Sequence, residues 1–218
     1  MDSESSLRER LIDVGVDLVS SEGSASLGLR EIARRAGVSH GAPRRYFPTH
    51  HSLLSAIARR GFETLGARFT AAIADMSSPR AQLQAAAGVY VGYALECRGM
   101  FELMFRHDLL DSDKYASGGG SRLREATLPL FDHIVDLVAR CRAERDVAHP
   151  GGPGAAASPP PVTAAALWSN LHGIAQLWTW GSLQLALDAE PPGGAPHGDQ
   201  LDRLVKAVLD AHLGPVNA

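Results

Sequence analysis

Apolar residues recur at intervals of three and four along nearly the whole chain, and this periodicity limits what it can fold into. Leu7, Leu11, Val14 and Leu18 form a first stripe, and Leu54, Ile57, Gly61, Leu65, Phe69 and Ile73 a second. Tyr90, Tyr93 and Cys97 follow a start at Pro79. Leu123, Thr127, Leu130, Ile134, Val138 and Cys141 continue the pattern, as do Leu167, Leu171, Ile174, Trp178, Gly181 and Leu185, and finally Leu201, Leu204, Val208 and His212. Such spacing stacks side chains on one face of a helix. Alternation of the kind a half-buried strand needs is missing over any useful length, so the expected class is all-α.

With 218 residues, 45% of them hydrophobic and 21% charged, the chain can bury a core without staples and is neither disordered nor fibrous as a whole. Its apolar runs are broken by Arg, Asp or Gly well short of the roughly 18 residues a membrane span needs. The opening MDSESSLRERLIDVG is acidic and Ser-rich, without a basic-then-apolar signal arrangement, so a soluble, cytoplasmic protein is expected. Cys97 and Cys141 are too few and too isolated for a disulfide framework or a zinc cluster.

The distribution of charge says more than its total of −3. Between Gly28 and Arg60 the arginines at 30, 34, 35, 44, 45, 59 and 60 meet one acid, Glu31, so this window carries +6 and the remainder −9. A basic patch on an acidic body is the footprint of a small polyanion-binding module attached to something else, although a solvated helical face has the same composition. Three stretches interrupt the helices: Asp111 to Ser121, Val147 to Pro161 and Glu190 to Gly198, rich in Gly, Ser or Pro. They are expected to be surface connections, and the repeated prolines of the second are expected to exclude helix there.

The segment from Leu29 to Phe47, LREIARRAGVSHGAPRRYF, reads as a short helix, a tight turn and a second short helix. Leu29, Ile32 and Ala33 supply an inward face, and Gly37 sits where a helix end favours a left-handed residue. Val38 returns the chain to the core, Ser39 can cap the second helix, and Thr49 can cap the long helix that follows. Pro43 is expected to hold Ala42 away from helical angles, so the second helix begins late or with a distorted turn. Arg34 and Arg35 read as salt-bridge or solvent residues, Phe47 as core, and His51 as an ordinary surface residue. The whole is a helix-turn-helix whose second helix is placed to enter a major groove.

This segment, with the helix before it and the Phe47–Leu54 stretch after it, resembles the N-terminal DNA-binding domain of TetR-type transcriptional regulators. Trp168, His172 and Gly173, together with Tyr90 to Phe105 (YVGYALECRGMFELMF), resemble a subgroup whose C-terminal domain is named for a Trp-His-Gly signature. The resemblance implies a three-helix DNA-binding domain over residues 1–50 and a helical ligand-binding and dimerisation bundle over 51–218. It implies DNA contacts from Arg30, Ser39, His40, Gly41, Ala42, Arg44, Arg45, Tyr46 and His50. Arg suits that role because its fork fits guanine or phosphate in two places at once. Arg44 replaces a commonly aromatic residue of the family, and His50 a common lysine.

Aromatic and methionine residues gather from Arg80 onward, which by itself is ordinary core composition. All three tryptophans lie between Trp168 and Trp180 on one expected helix and face more than one side, so that helix must be buried on more than one side. Tyr90, Tyr93, Phe101, Met104, Phe105, Phe131, Trp168, His172 and Gln176 are the expected lining of a pocket for a small apolar effector, with Asn170 and His133 as further polar candidates. The resemblance further implies a homodimer built from helices at about Val162 to Leu187 and Asp199 to Leu213, presenting two recognition helices to a double-stranded, palindromic operator. Repression relieved by the effector is the expected mode of action. A dimeric small-molecule carrier or sensor without specific DNA binding is the alternative. Nucleophile elbow, dinucleotide loop, HExxH and paired cysteines are all missing, so no enzyme, cofactor or metal site is expected. His107 with Asp108, Asp111 and Asp113 reads as a solvated loop.

Overall fold

The computed structural model describes residues 2–106, 123–148, 158–187 and 199–215. Among these residues every regular element is helical: α1 (Asp2–Glu22), α2 (Leu29–Arg35), α3 (Pro43–Tyr46), α4 (His50–Ile73), α5 (Pro79–Glu96), α6 (Arg98–Met104), α7 (Leu123–Ala148), α8 (Pro160–Thr179), α9 (Ser182–Ala186) and α10 (Asp199–Leu213). A short 3-10 turn, Ser24–Ser26, joins α1 to α2. The chain divides into two compact units. The first holds Met1–Thr64 and Cys97–Leu128; the second holds Leu65–Glu96 and Pro129–Ala218. The loops expected at Asp111–Ser121 and Glu190–Gly198, and the acidic group near His107, lie outside the described residues.

In the first unit, Leu11, Leu18, Ile32, Leu53, Leu54 and Ile57 are fully buried. They face one another because α1 and α4 approach closely at Gly15, where an added Cβ would lie 2.3 Å from Ile57 Cδ1. Gly61 makes room in the same way for the sulfurs of Met100 and Met104 on α6. Gly99, the second residue of α6, sits against backbone rather than side chain: an added Cβ would lie 2.5 Å from the carbonyl oxygen of Val19 and 3.1 Å from Gly23 Cα. The seat of α6 on the end of α1 therefore depends on a missing side chain, because backbone cannot rotate out of the way.

In the second unit α8 packs against α5, α9 and α10, and α10 also meets α5. Leu83, Ala86, Tyr90, Leu167, Leu171, Ala175, Leu201 and Leu209 are buried there. Arg80 ties the end of α10, donating to the carbonyl of Leu209 at 2.8 Å and pairing with Asp210. Arg145 donates to the carbonyl of Leu213 at 3.2 Å. The Arg145 bond satisfies one of the carbonyls that the end of a helix leaves without an intrahelical partner.

Three boundaries differ from the sequence reading. Helix α7 continues through Val147 and Ala148, and Pro160 and Pro161 open α8 rather than end a loop. Proline is tolerated in the first turn of a helix because the missing N–H would have no intrahelical partner there. The long stripe from Leu167 to Leu185 is broken: α8 stops at Thr179, Gly181 takes a left-handed φ of 78°, and Leu185 on α9 is exposed. On α10 the fully buried stripe is Leu201, Val205, Leu209 and Leu213, while Leu204, Val208 and His212 are half-buried.

Gly99→Ala should lower stability by about 1–3 kcal/mol, the usual cost of forcing atoms into a filled site. Urea unfolding of the variant beside the parent chain checks this, and an unchanged midpoint would contradict the close seating of α6 on α1.

Candidate nucleic-acid interface and effector site

Helix α2 ends as its sequence requires. Gly37 adopts φ 67°, its N–H bonds to the carbonyl of Arg34 at 3.2 Å, and the Val38 N–H reaches the carbonyl of Ala33 at 3.0 Å. This is the paired-bond ending that glycine allows. The chain then runs through Ser39, His40 and Gly41, all exposed, into α3. Helix α3 begins only at Pro43 and makes little more than one turn. Ser39 does not cap it through its side chain; its backbone carbonyl accepts the N–H of Ala42 at 3.0 Å. Ala42 itself is helical, φ −61° and ψ −43°, contrary to the expectation for a residue before proline. Its N–H is held by Ser39 and its carbonyl by the Arg45 N–H at 3.2 Å, and these turn bonds outweigh the local preference.

Thr49 caps α4 as expected, and Ser52 returns the bond. The Ser52 N–H reaches Thr49 Oγ1 at 3.0 Å and the Thr49 N–H reaches Ser52 Oγ at 3.2 Å. Phe47 is buried beneath the guanidinium of Arg8, 5.5 Å from its ring centre. Val38 and Tyr46 are half-buried, and Arg30, Arg44, Arg45 and His50 are exposed.

The arginines of this unit divide into two groups. Glu31 accepts from Arg34 at 2.6 and 2.9 Å and from Arg35 at 2.7 Å, and Arg35 also pairs with Glu22 on α1. These hydrogen bonds, Arg34's first, hold the Glu31 carboxyl down to about 2. Arg60 pairs with Glu9 at 2.6 Å and with Glu63 at 3.5 Å. Among the described ion pairs none engages Arg30, Arg44 or Arg45. His50 is placed differently from a simple surface contact: its Nε2 lies 2.5 Å from the carbonyl oxygen of Leu27, just before α2.

The nine residues expected to line an effector site fall in both units. Phe101, Met104 and Phe105 belong to the first, where Phe105 meets Phe62 edge-on at 5.6 Å and Phe101 at 4.8 Å. In the second unit Tyr90, Trp168 and His172 come together. Trp168 Nε1–H donates to Tyr90 Oη at 2.9 Å, and the Tyr90 hydroxyl lies 2.8 Å from His172 Nδ1. A neutral His172 satisfies this contact in either tautomer. Burial favours the neutral forms, lowering the His172 imidazole from its ordinary value and pushing the Tyr90 hydroxyl up. Tyr93 is buried under the Arg68 guanidinium, 5.1 Å from its ring centre. Phe131 on α7, and Gln176 one turn beyond His172, are half-buried. Asn170 bonds His212 at 3.0 Å, and His133 Nε2 is buried without a hydrogen-bond partner. Sequence reasoning missed the clustering of the methionines and phenylalanines of α6 with α4, because the glycine that permits it, Gly61, reads as an ordinary stripe position.

Among the described residues no group of His, Cys, Asp and Glu could hold a metal ion, and no helix is long and apolar enough to cross a membrane. Cys97 and Cys141 are half-buried and form no disulfide.

Fold and site together define an all-α chain that carries an N-terminal helix-turn-helix. Residues 11–57 match the family described as "Bacterial regulatory proteins, tetR family", and residues 83–192 match "Tetracyclin repressor-like, C-terminal domain". The chain belongs to the tetR family. An HTH-type transcriptional regulator of Mycobacterium tuberculosis is 33% identical over 75 residues, 34% of this chain and 37% of the relative. The chain thus spans little more than a third of the length of that relative. A solved protein of unknown function from Rhodococcus sp. RHA1 is 32% identical, with 95% of this chain and 93% of that one covered and a TM-score of 0.69. The multidrug binding protein EbrR, solved with imidazole, is 26% identical over 97% of this chain and 96% of its own, with a TM-score of 0.56.

Tyr90→Phe should lower stability by about 1–3 kcal/mol, because it strips the shared partner from Trp168 and His172. The linkage at His172 has a definite sign. Its folded-state value lies below the ordinary 6.5, so its contribution to stability is complete above that pH and is lost as pH falls through the folded value. Urea unfolding across this range should show that loss in the parent chain and a smaller one in His172→Gln.

Proposed function

We propose that the chain is a ligand-responsive repressor acting in the cytoplasm without catalytic activity, with residues 1–50 binding a palindromic operator and residues 51–218 binding an effector and forming a homodimer. The observation that carries this reading is the sorting of arginines on the helix-turn-helix. Arg34 and Arg35 are consumed by Glu31 and Glu22, whereas Arg30, Arg44 and Arg45 stand exposed on the short helices that a major groove and its flanking phosphates would meet. Ser39, His40, Gly41, Ala42 and Tyr46 surround them on the same turn and helix, close enough in sequence to share one DNA surface.

The dimer reading is supported by α8. Its buried arc leaves an opposite face made of Val162, Ala166, Ser169, Gly173, Leu177 and Trp180, and Trp180 is 63% exposed. A helix apolar on both sides calls for a second partner. The small residues at 166, 169 and 173 let another helix approach closely, and a Cβ at Gly173 would meet nothing within 4 Å. The effector reading is supported by Tyr90, Trp168 and His172, a hydrogen-bonded trio that runs from the buried Tyr90 to the exposed Trp168, and by the likeness to a multidrug binding protein. A lipophilic effector would act by binding one arrangement of the bundle better than another.

The double substitution Arg44→Ala with Arg45→Ala should weaken binding to an operator selected from random duplexes by tenfold or more, at about 1–3 kcal/mol for each bidentate contact. Thermal unfolding should stay nearly unchanged, because both side chains are exposed. Fluorescence anisotropy on the selected duplex reads the loss, and undiminished affinity would refute the interface. Trp180→Arg should shift the chain from dimer to monomer in sedimentation; a variant that sediments as the parent does would remove α8 from the subunit contact.

A further inference from the structure

The bond between His50 and Leu27 fixes more than the position of a ring. A backbone carbonyl only accepts, so Nε2, 2.5 Å from the Leu27 oxygen, must carry the hydrogen. In the neutral ring Nδ1 is then a bare acceptor. A phosphate oxygen is also only an acceptor, so neutral His50 and a phosphate would meet lone pair to lone pair. Protonation changes this without breaking anything: the imidazolium keeps its bond to Leu27 and gains an Nδ1–H for a charge-assisted bond to phosphate.

Resting on the reading of the first unit as a DNA interface, we propose that His50 is a proton-coupled phosphate contact, formed only by the imidazolium, so that operator affinity rises as pH falls. A histidine without the Leu27 anchor could offer a neutral N–H to phosphate in either tautomer, and its contact would survive deprotonation. Here the backbone removes that option. A lysine at this position would hold its charge throughout, so the histidine converts a constant contact into a conditional one.

The ionisable groups nearest in sequence to His50 and its Leu27 anchor are Arg30, Glu31, Arg34 and Arg35 on α2, Arg44, Arg45 and Tyr46 on α3, His51 beside it on α4, and His40 in the turn before α3. Glu31 is already held by Arg34 and Arg35, so the acid nearest in sequence to Leu27 is committed elsewhere. The arginines raise the density of positive charge, which a bound phosphate neutralises. His51, beside it on α4 and outside the proposed DNA contacts, serves as the internal control.

The test uses the full chain and an operator duplex selected from random DNA, with affinity read by fluorescence anisotropy between about pH 6 and about pH 8 at constant ionic strength. The parent chain should tighten toward acid, by no more than about tenfold per pH unit for each His50 engaged, the limit for one coupled proton. His50→Gln should lose that slope and bind as the parent does at the alkaline end. His50→Lys should lose the slope and bind as the parent does at the acid end. His51→Gln should keep it. Nitrogen-15 spectra of the ring should show an Nε2–H tautomer in the free chain near pH 8 and an imidazolium on the DNA complex. These spectra separate proton coupling from a mere loosening of α2 in the variants. A slope that persists in His50→Gln, or a neutral ring in the complex, overturns the proposal while leaving the DNA reading intact. Absence of salt-dependent duplex binding by the parent at every pH overturns both.

Discussion

The first unit stands on the close crossing of α1 and α4 at Gly15. Ile57 occupies the space where any other residue would carry its Cβ, and Leu11, Leu18, Ile32, Leu53 and Leu54 are buried in the same unit. Once α1 and α4 are locked, α2 has one place to lie, with Ile32 and Ala33 inward and its charged residues outward. The ion pairs follow from that placement. Glu22 at the end of α1 comes within reach of Arg35, and Glu31 takes both Arg34 and Arg35, so packing decides which arginines remain exposed. The electrostatic surface is therefore a product of the hydrophobic core beneath it.

Much of this was legible before any coordinates. Gly37 with its positive φ, the cap at Thr49, the burial of Phe47 and the pairing of Arg34 and Arg35 all follow from local rules linking a residue type to its immediate neighbours. What escaped depends on partners distant in sequence or on competition between local rules. Ala42 is helical despite the proline after it because two turn hydrogen bonds hold it, and neither is visible in a spacing pattern. The Arg35–Glu22 pair and the Gly99 contact with Val19 join residues that only the folded chain brings together. The break at Gly181 was hidden because the apolar period runs on into Leu185, which the structure leaves in solvent.

The candidate effector site shows the same division. The sequence points to Tyr90, Trp168 and His172 as separate candidates on two helices, and the structure joins them through a single hydroxyl that accepts from one ring and bonds the other. A list of aromatic positions cannot convey that link. Phe101, Met104 and Phe105 look like equivalent lining residues in a composition count, yet they fill space around Gly61 and Phe62 in the other unit.

The brevity of α3 has a consequence for information rather than for energy. At a rise of about 1.5 Å per residue, a helix of one turn extends across roughly two base-pair steps. Under the DNA reading, each head can spell only a very short word, and an arginine outside that helix, Arg30, adds grip without adding letters. A message long enough to be found in a genome must then come from repeating that word at a fixed interval. The spacing between copies becomes part of the text, and an inserted base pair between them would garble it more than a misspelling within either.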